Sequence, residues 1–261
     1  MSVPQIARGE NEFWERVDGA REVLRVVSGR IVRFFVQPTL KHSVHACTVD
    51  DITHLLAQIP GGDWEGIGAI LLRQPRRKES ILEPVWGRLA YAADFVDRRG
   101  QLIYQGAAIV IEAVDLKKPF RFGKKLGPEG LAELERLESD GHRFRLGDMR
   151  NTIEPTLDAC RTTQLYRTFV HELGHWVDFL EKVQWPAMVR SEIDFDRYAS
   201  LLKRFHSRPT SEKENFAHRY ADRMRTQLVD AGLIPFARLL DRESLGREKL
   251  SLDDFLCSDP A

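Results

Sequence analysis

From Pro155 onward, apolar residues recur every three or four positions. Tyr166, Phe169, Val170, Leu173, Val177 and Leu180 fall on one side of a helix, and His171, His175 and Asp178 share the neighbouring stripe. A second helix is predicted from about Glu212 to Ala231, ending near Gly232. Short helices are predicted over Phe236 to Asp241 and in the acidic C-terminal segment. Before residue 115 the pattern is different. Arg25 to Val36 (RVVSGRIVRFFV) is rich in β-branched and aromatic residues, as a strand or hairpin is. Asp50 to Ile59 places Ile52, Leu55, Leu56 and Ile59 on one helical side, and Gly68 to Leu72 reads as a buried strand. Trp86 to Val96 and Leu102 to Val114 flank the turn-like Asp97-Arg98-Arg99-Gly100 and predict an antiparallel hairpin. Pro128 to Ser139 reads as helix, with Pro128 and Glu129 suited to its first turn. The expected class is α+β, with a β-rich part over 1–150 and a mostly helical part over 151–261, the two compatible with one continuous domain.

Composition narrows the partners. Lysine and arginine total 39 and aspartate and glutamate total 39, so net charge favours neither nucleic acid nor an anionic membrane. No run of about 18 apolar residues suggests a membrane span, and MSVPQIARGENEF lacks the pattern of a secretory signal. Cys47, Cys160 and Cys257 are widely spaced and odd in number, as expected of unpaired thiols in a reducing compartment. A cytoplasmic setting is the expectation, although specialised export leaves no mark at this level. The basic connection over 115–127, with Lys117, Lys118, Arg121, Lys124 and Lys125 around Phe120 and Phe122, is the only hint of nucleic-acid binding. A solvated linker anchored by its phenylalanines explains it better.

The chemistry lies in His171-Glu172-Leu173-Gly174-His175. Histidines four apart on a helix sit one turn above each other, so both imidazoles can reach one metal ion. The glutamate after the first histidine projects about 100° round the helix, near a metal-bound water but off the coordination positions. This HExxH spacing is that of zinc peptidases, with the glutamate as general base. Gly174 costs roughly 1 kcal/mol relative to alanine inside a helix, a cost explained if another segment approaches closely there.

A catalytic zinc ion normally has a third protein ligand. In an HExxHxxGxxH pattern the glycine position would be Asp178 and the last ligand Glu181, but the helical period runs on through Val177 and Leu180. Glu214, in Glu214-Asn215-Phe216-Ala217-His218-Arg219-Tyr220, is the favoured ligand, with Phe216, Ala217 and Tyr220 packing its helix on the first. Against this, Ser211-Glu212-Lys213-Glu214 also fits a capping box, in which Glu214 bonds back to the Ser211 amide. His218 is a further, less favoured ligand. Asp178 reads equally as a partner for a ligand imidazole N–H or as a solvated charge.

On the motifs HELGHxxD and ExFAxxY, over about residues 164–224, the chain resembles the gluzincin class of zinc metallopeptidases, and within it the lethal-factor-like and Pro-Pro-endopeptidase group. That resemblance implies a zincin-like mixed sheet with an active-site helix. It also implies one zinc ion held by His171, His175 and Glu214, and Glu172 as base. The group's tyrosine shortly before the ligand glutamate has no counterpart in His206-Ser207-Arg208-Pro209-Thr210. Tyr198, His206, His218 and Tyr220 stand as candidates for the oxyanion partner. A peptide or protein substrate is expected along an edge strand, with Ala107 to Val114 the expected strand. The alternatives are a zinc-dependent amide hydrolase of non-peptide substrates and a non-catalytic binding protein.

Overall fold

The computed structural model describes residues 12–76, 79, 85–122, 127–145, 151–189 and 192–256. Lys124, Lys125 and Cys257 lie outside them. The N-terminal half contributes β1 (Glu12–Arg16), β2 (Arg21–Val27), β3 (Arg30–Val36), β4 (Ser43–Val44), α1 (Val49–Gln58), β5 (Ile67–Arg73), β6 (Gly87–Val96) and β7 (Leu102–Glu112). Six of these strands form one mixed sheet in the order β1-β6-β7-β5-β3-β2. The β2–β3 pair is the hairpin expected within 25–36. Its two-residue turn, Ser28-Gly29, has both φ angles positive, which matches the twist of the flanking strands. The β6–β7 hairpin also forms as expected. Asp97 accepts the amides of Arg99 and Gln101 at 2.8 and 2.9 Å, closing the turn.

Central β5 runs parallel to both neighbours, and Ala69 to Leu72 are fully buried on both faces, as central parallel strands are. One face carries Phe34, Ile70, Leu72, Ile109 and Ile111, which pack with Ile52 and Leu55 of α1 and with helical residues from the second half. The other face buries Phe35, Leu71, Ala108 and Val110 with Phe95 and Tyr104. Because the first of these clusters runs from Val23 to Phe255, both halves of the chain share a core.

After β8 (Val114–Asp115), a small sheet of β9 (Phe120–Phe122), β10 (Arg143–Arg145) and β11 (Asn151–Glu154) accompanies α2 (Pro128–Ser139). Phe120 stacks on Trp86 with ring centres 4.9 Å apart, so this part of the basic connection is anchored by its aromatic residue. Then α3 (Leu157–Thr162), α4 (Phe169–Phe179) and α5 (Trp185–Ala187) follow one another through π-helical turns at Thr163–Thr168 and Leu180–Gln184. They are followed by α6 (Phe195–His206), α7 (Thr210–Asp230) and α8 (Arg242–Glu248).

Two expectations are corrected. Phe236 to Asp241 is not helical, because tertiary partners take its backbone. The Phe236 amide donates to the Tyr166 hydroxyl at 3.0 Å, and the Leu239 amide donates to Asp51 at 2.9 Å. The helix begins only after Asp241, which caps it by accepting the Ser244 amide. The sequence reading also passed over α6, although Tyr198, Leu202 and Phe205 carry the helical period. Cys47 and Cys160 are buried, unpaired thiols, as expected. Among the described residues, no helix is long and apolar enough to cross a membrane.

Candidate metal centre

The second helix meets the first at a glycine. A β-carbon at Gly174 would lie 2.8 Å from both the Cα and the carbonyl oxygen of Ala217, closer than real contacts allow. The absence of a side chain at this one position lets α7 cross α4 backbone to backbone. Three residues before Ala217, Glu214 therefore projects over the two histidines. Its Oε2 lies 3.3 Å from His171 Nε2 and its Oε1 lies 3.5 Å from His175 Nε2. The imidazole centres are 4.7 Å apart, with planes nearly perpendicular. One ligand atom from each of His171, His175 and Glu214 falls within 4.8 Å of the other two. The capping-box alternative is not formed. Helix α7 starts at Thr210 after Pro209, with no side-chain cap, so Glu214 stands past its first turn.

These distances suit a shared cation better than direct hydrogen bonds. An N–H···O bond centres near 2.9–3.0 Å, whereas ligands about 2.0–2.1 Å from a tetrahedral zinc ion lie roughly 3.3–3.5 Å from one another. Two imidazole nitrogens and one carboxylate are a donor set that could hold a metal ion. Electrostatics agree. The two neighbouring histidines hold the Glu214 carboxyl well below the usual carboxylate range. Burial pulls the proton affinity of His175 down, but Glu214, Glu172 and Asp178 outweigh it, so the net shift is upward.

Glu172 approaches from the next position on α4. Its Oε2 accepts the amide N–H of Leu89 in β6 at 2.7 Å, which ties the carboxylate to the sheet beside the histidines. Burial pushes its proton affinity up, against the pull of His175 and His171. Strand β6 lies tight against the helix because Gly87 has no β-carbon. One there would meet Val110 O at 2.7 Å and Thr168 Cγ2 at 3.1 Å.

The strand expected to face a substrate is corrected. Ala107 to Val114 belongs mostly to β7, which pairs with β6 on one side and β5 on the other and has no free edge along the paired residues. Among the described residues, no strand pairs with the outer side of the first half of β6. The Glu112 amide donates to the Trp86 carbonyl at 3.1 Å, so by antiparallel alternation 86, 88 and 90 face β7. The N–H and C=O groups of Gly87 and Leu89 then point outward, and the Leu89 amide reaches Glu172 for this reason.

The remaining candidates have separate surroundings. His218 packs on His171 with ring centres 4.5 Å apart and planes tilted by 47° but does not join the group of converging ligand atoms. Asp178 is not a solvated charge. It is fully buried, and its Oδ2 accepts from Arg208 at 2.7 Å. Tyr220 donates its hydroxyl to Asp63 at 2.7 Å. Tyr198 is wholly buried in the core, and burial pushes its phenol up to about 12. His206 is exposed, with its ring 6.5 Å from that of Tyr91.

Tyr91 and Arg208 were missed from the sequence. Tyr91, on β6, packs against Trp176, Phe179 and Phe205 and points its hydroxyl at the His175 carbonyl, 3.4 Å away. Burial, and after it Asp178, Glu172 and Glu214, keep its proton on. No local pattern marks either residue, since each reaches the centre only through tertiary contact. Comparison with known families, curated proteins and solved structures finds no match for this chain.

Proposed function

We propose that this protein is a zinc-dependent metallopeptidase of zincin-like design, with His171, His175 and Glu214 holding one zinc ion and Glu172 as general base. The observation that carries the reading is the convergence of two Nε2 atoms and one carboxylate at tetrahedral-edge distances, beside a second carboxylate held off the group by a strand amide. A purely structural site has no use for that second carboxylate.

When bound, zinc would polarise the scissile carbonyl and acidify a water molecule. Glu172 takes the water proton and passes it to the leaving amine, and its raised proton affinity suits both halves of that exchange. The Leu89 amide keeps the Glu172 carboxylate aimed while its proton moves. Tyr91, whose hydroxyl reaches the His175 carbonyl and stays protonated, is the proposed replacement for the tyrosine expected before Glu214. The substrate is a peptide or protein.

The test is digestion of a mixed peptide library by the purified chain. Cleavage that stops with a chelator and returns with zinc is expected. A protein that holds one zinc ion and cuts no peptide would contradict the peptidase reading and favour an amide hydrolase of non-peptide substrates.

A further inference from the structure

We infer that two copies of this chain join edge to edge through β2, antiparallel and centred on Leu24, so that their sheets become one. The inference is independent of the metal centre and starts from the end of the sheet opposite β1. In the order β1-β6-β7-β5-β3-β2, β2 is the last strand, and no described strand pairs with its outer side. Natural proteins blunt such an edge with lysine, proline, a bulge or a very short strand. Seven-residue β2 (REVLRVV) has none of these devices, and its register with β3 runs unbroken from Arg21 to Val27.

The side chains along this edge are not those of a solvated strand. Val26 is 71% exposed, its cross-strand partner Ile31 65% and Leu24 57%, and alternation puts all three on one face of the sheet. The charges beside the patch are already matched within the chain. Arg25 pairs with Asp50 and Glu248, and Glu22 pairs with Arg33. An apolar patch with balanced charges and an unblocked backbone fits a partner of the same kind, and a second copy is such a partner.

Backbone geometry selects the polarity and the register. Two copies of one edge related by a closed two-fold axis meet antiparallel. The Ser28-Gly29 turn makes Val27 and Arg30 a hydrogen-bonded pair, so 21, 23, 25 and 27 point their main-chain groups at β3. Residues 22, 24 and 26 then point theirs outward. With the axis on Leu24, Leu24 of one copy faces Leu24 of the other and each Glu22 faces a Val26, so all of these outward groups find partners. Moving the axis one residue either way leaves one outward residue of β2 without a partner in the facing β2. It also sets Arg25 against Arg25, or Arg21 against Arg25, like charges that repel. Centring on Leu24 avoids both faults and brings the two patches of Leu24, Val26 and Ile31 together across the axis.

The experiment uses the full chain. Sedimentation of wild type should show single chains at micromolar concentration and a two-chain species as concentration approaches millimolar. Leu24→Lys sets two lysines opposite each other on the axis and should weaken the dimer about tenfold or more. Cross-linking reads the register. In a Cys257→Ser background the remaining Cys47 and Cys160 are buried, and a single surface cysteine is introduced by Leu24→Cys or by Val26→Cys. Opposed residues of a hydrogen-bonded pair lie about 5.5 Å apart between Cα atoms, within disulfide reach. The two Val26 positions are offset by four residues of strand, roughly 13 Å, which is out of reach. Oxidation should therefore link the Leu24→Cys protein about tenfold or more faster than the Val26→Cys protein. Equal rates, or faster linkage of the Val26→Cys protein, would overturn the inference. So would an association that Leu24→Lys leaves unchanged, which puts the contact elsewhere. Single chains at every concentration would overturn it too, and would leave the β2 edge to a different occupant.

Discussion

Asp51 and Arg161 meet through bonds of 2.9 and 3.0 Å, whereas Glu214 stands 3.3 and 3.5 Å from its two histidines. The first ties α1 to Arg161 and the C-terminal segment, the second ties α4 to α7, and they dispose of their polar atoms differently. In the first, Arg161 also donates to the Tyr166 hydroxyl and the Phe236 carbonyl, and Asp51 also accepts the amides of Thr48 and Leu239. In the second, His171 Nδ1 and Asp178 Oδ1 are buried without a partner, and the central distances are too long for good hydrogen bonds. The Asp51–Arg161 cluster closes on itself, which avoids the cost of about 1–3 kcal/mol for each unmet buried polar atom. A cluster that leaves its centre open is consistent with a guest there.

The sharpest way to break this comparison is Glu172→Gln. Loss of a general base lowers kcat by about 10²–10⁴, and the variant should bind zinc like wild type. Undiminished turnover would remove Glu172 from the reaction. In the closed cluster, Arg161→Ala leaves Asp51 buried and unpaired, at a cost of about 3–5 kcal/mol. Denaturant melts should show that loss, while zinc per folded molecule stays constant. A drop in zinc stoichiometry would mean that the clusters are not independent.

Gly174→Ala distinguishes close helix crossing from mere helix propensity. Propensity alone would stabilise by up to about 1 kcal/mol. The 2.8 Å approach of Ala217 instead predicts a net loss of about 1–3 kcal/mol, as in an overpacked core, together with weaker zinc binding as Glu214 is pushed away. A more stable variant would contradict the crossing. The smallest effect is a pH slope. His45 is buried with Nε2 2.7 Å from the Gln37 carbonyl, and burial lowers its proton affinity. The unfolded chain then binds a proton more readily, so His45 contributes stability above the ordinary histidine pKa of about 6.5, and the contribution is lost as pH falls below it. Melting temperature against pH should show this slope in wild type and a weaker one in His45→Gln.

Much of the centre was legible because it is written in helical spacing. His171 and His175 are one turn apart, Gly174 is out of place in a helix unless something touches it, and Glu214 lies one turn before the Ala217 that does. What was illegible depends on long-range pairing. Both β6 and β7 read as strands, and only the order β1-β6-β7-β5 decides which of them has an unpaired side among the described residues. The capping box failed because Pro209 starts α7 ahead of Ser211, and the helix expected at Phe236 failed because Tyr166 and Asp51 bind its backbone. Tyr166 and Asp51 are both far from Phe236 in sequence.

Zinc titration of the metal-free chain, with wild type beside Glu214→Ala and His171→Ala, tests the central claim most directly. The account predicts one tightly held ion per wild-type chain, and for each variant a fall larger than the roughly 10–100-fold that accompanies loss of a partner outside the coordination sphere. Equal occupancy and affinity in all three proteins would contradict it.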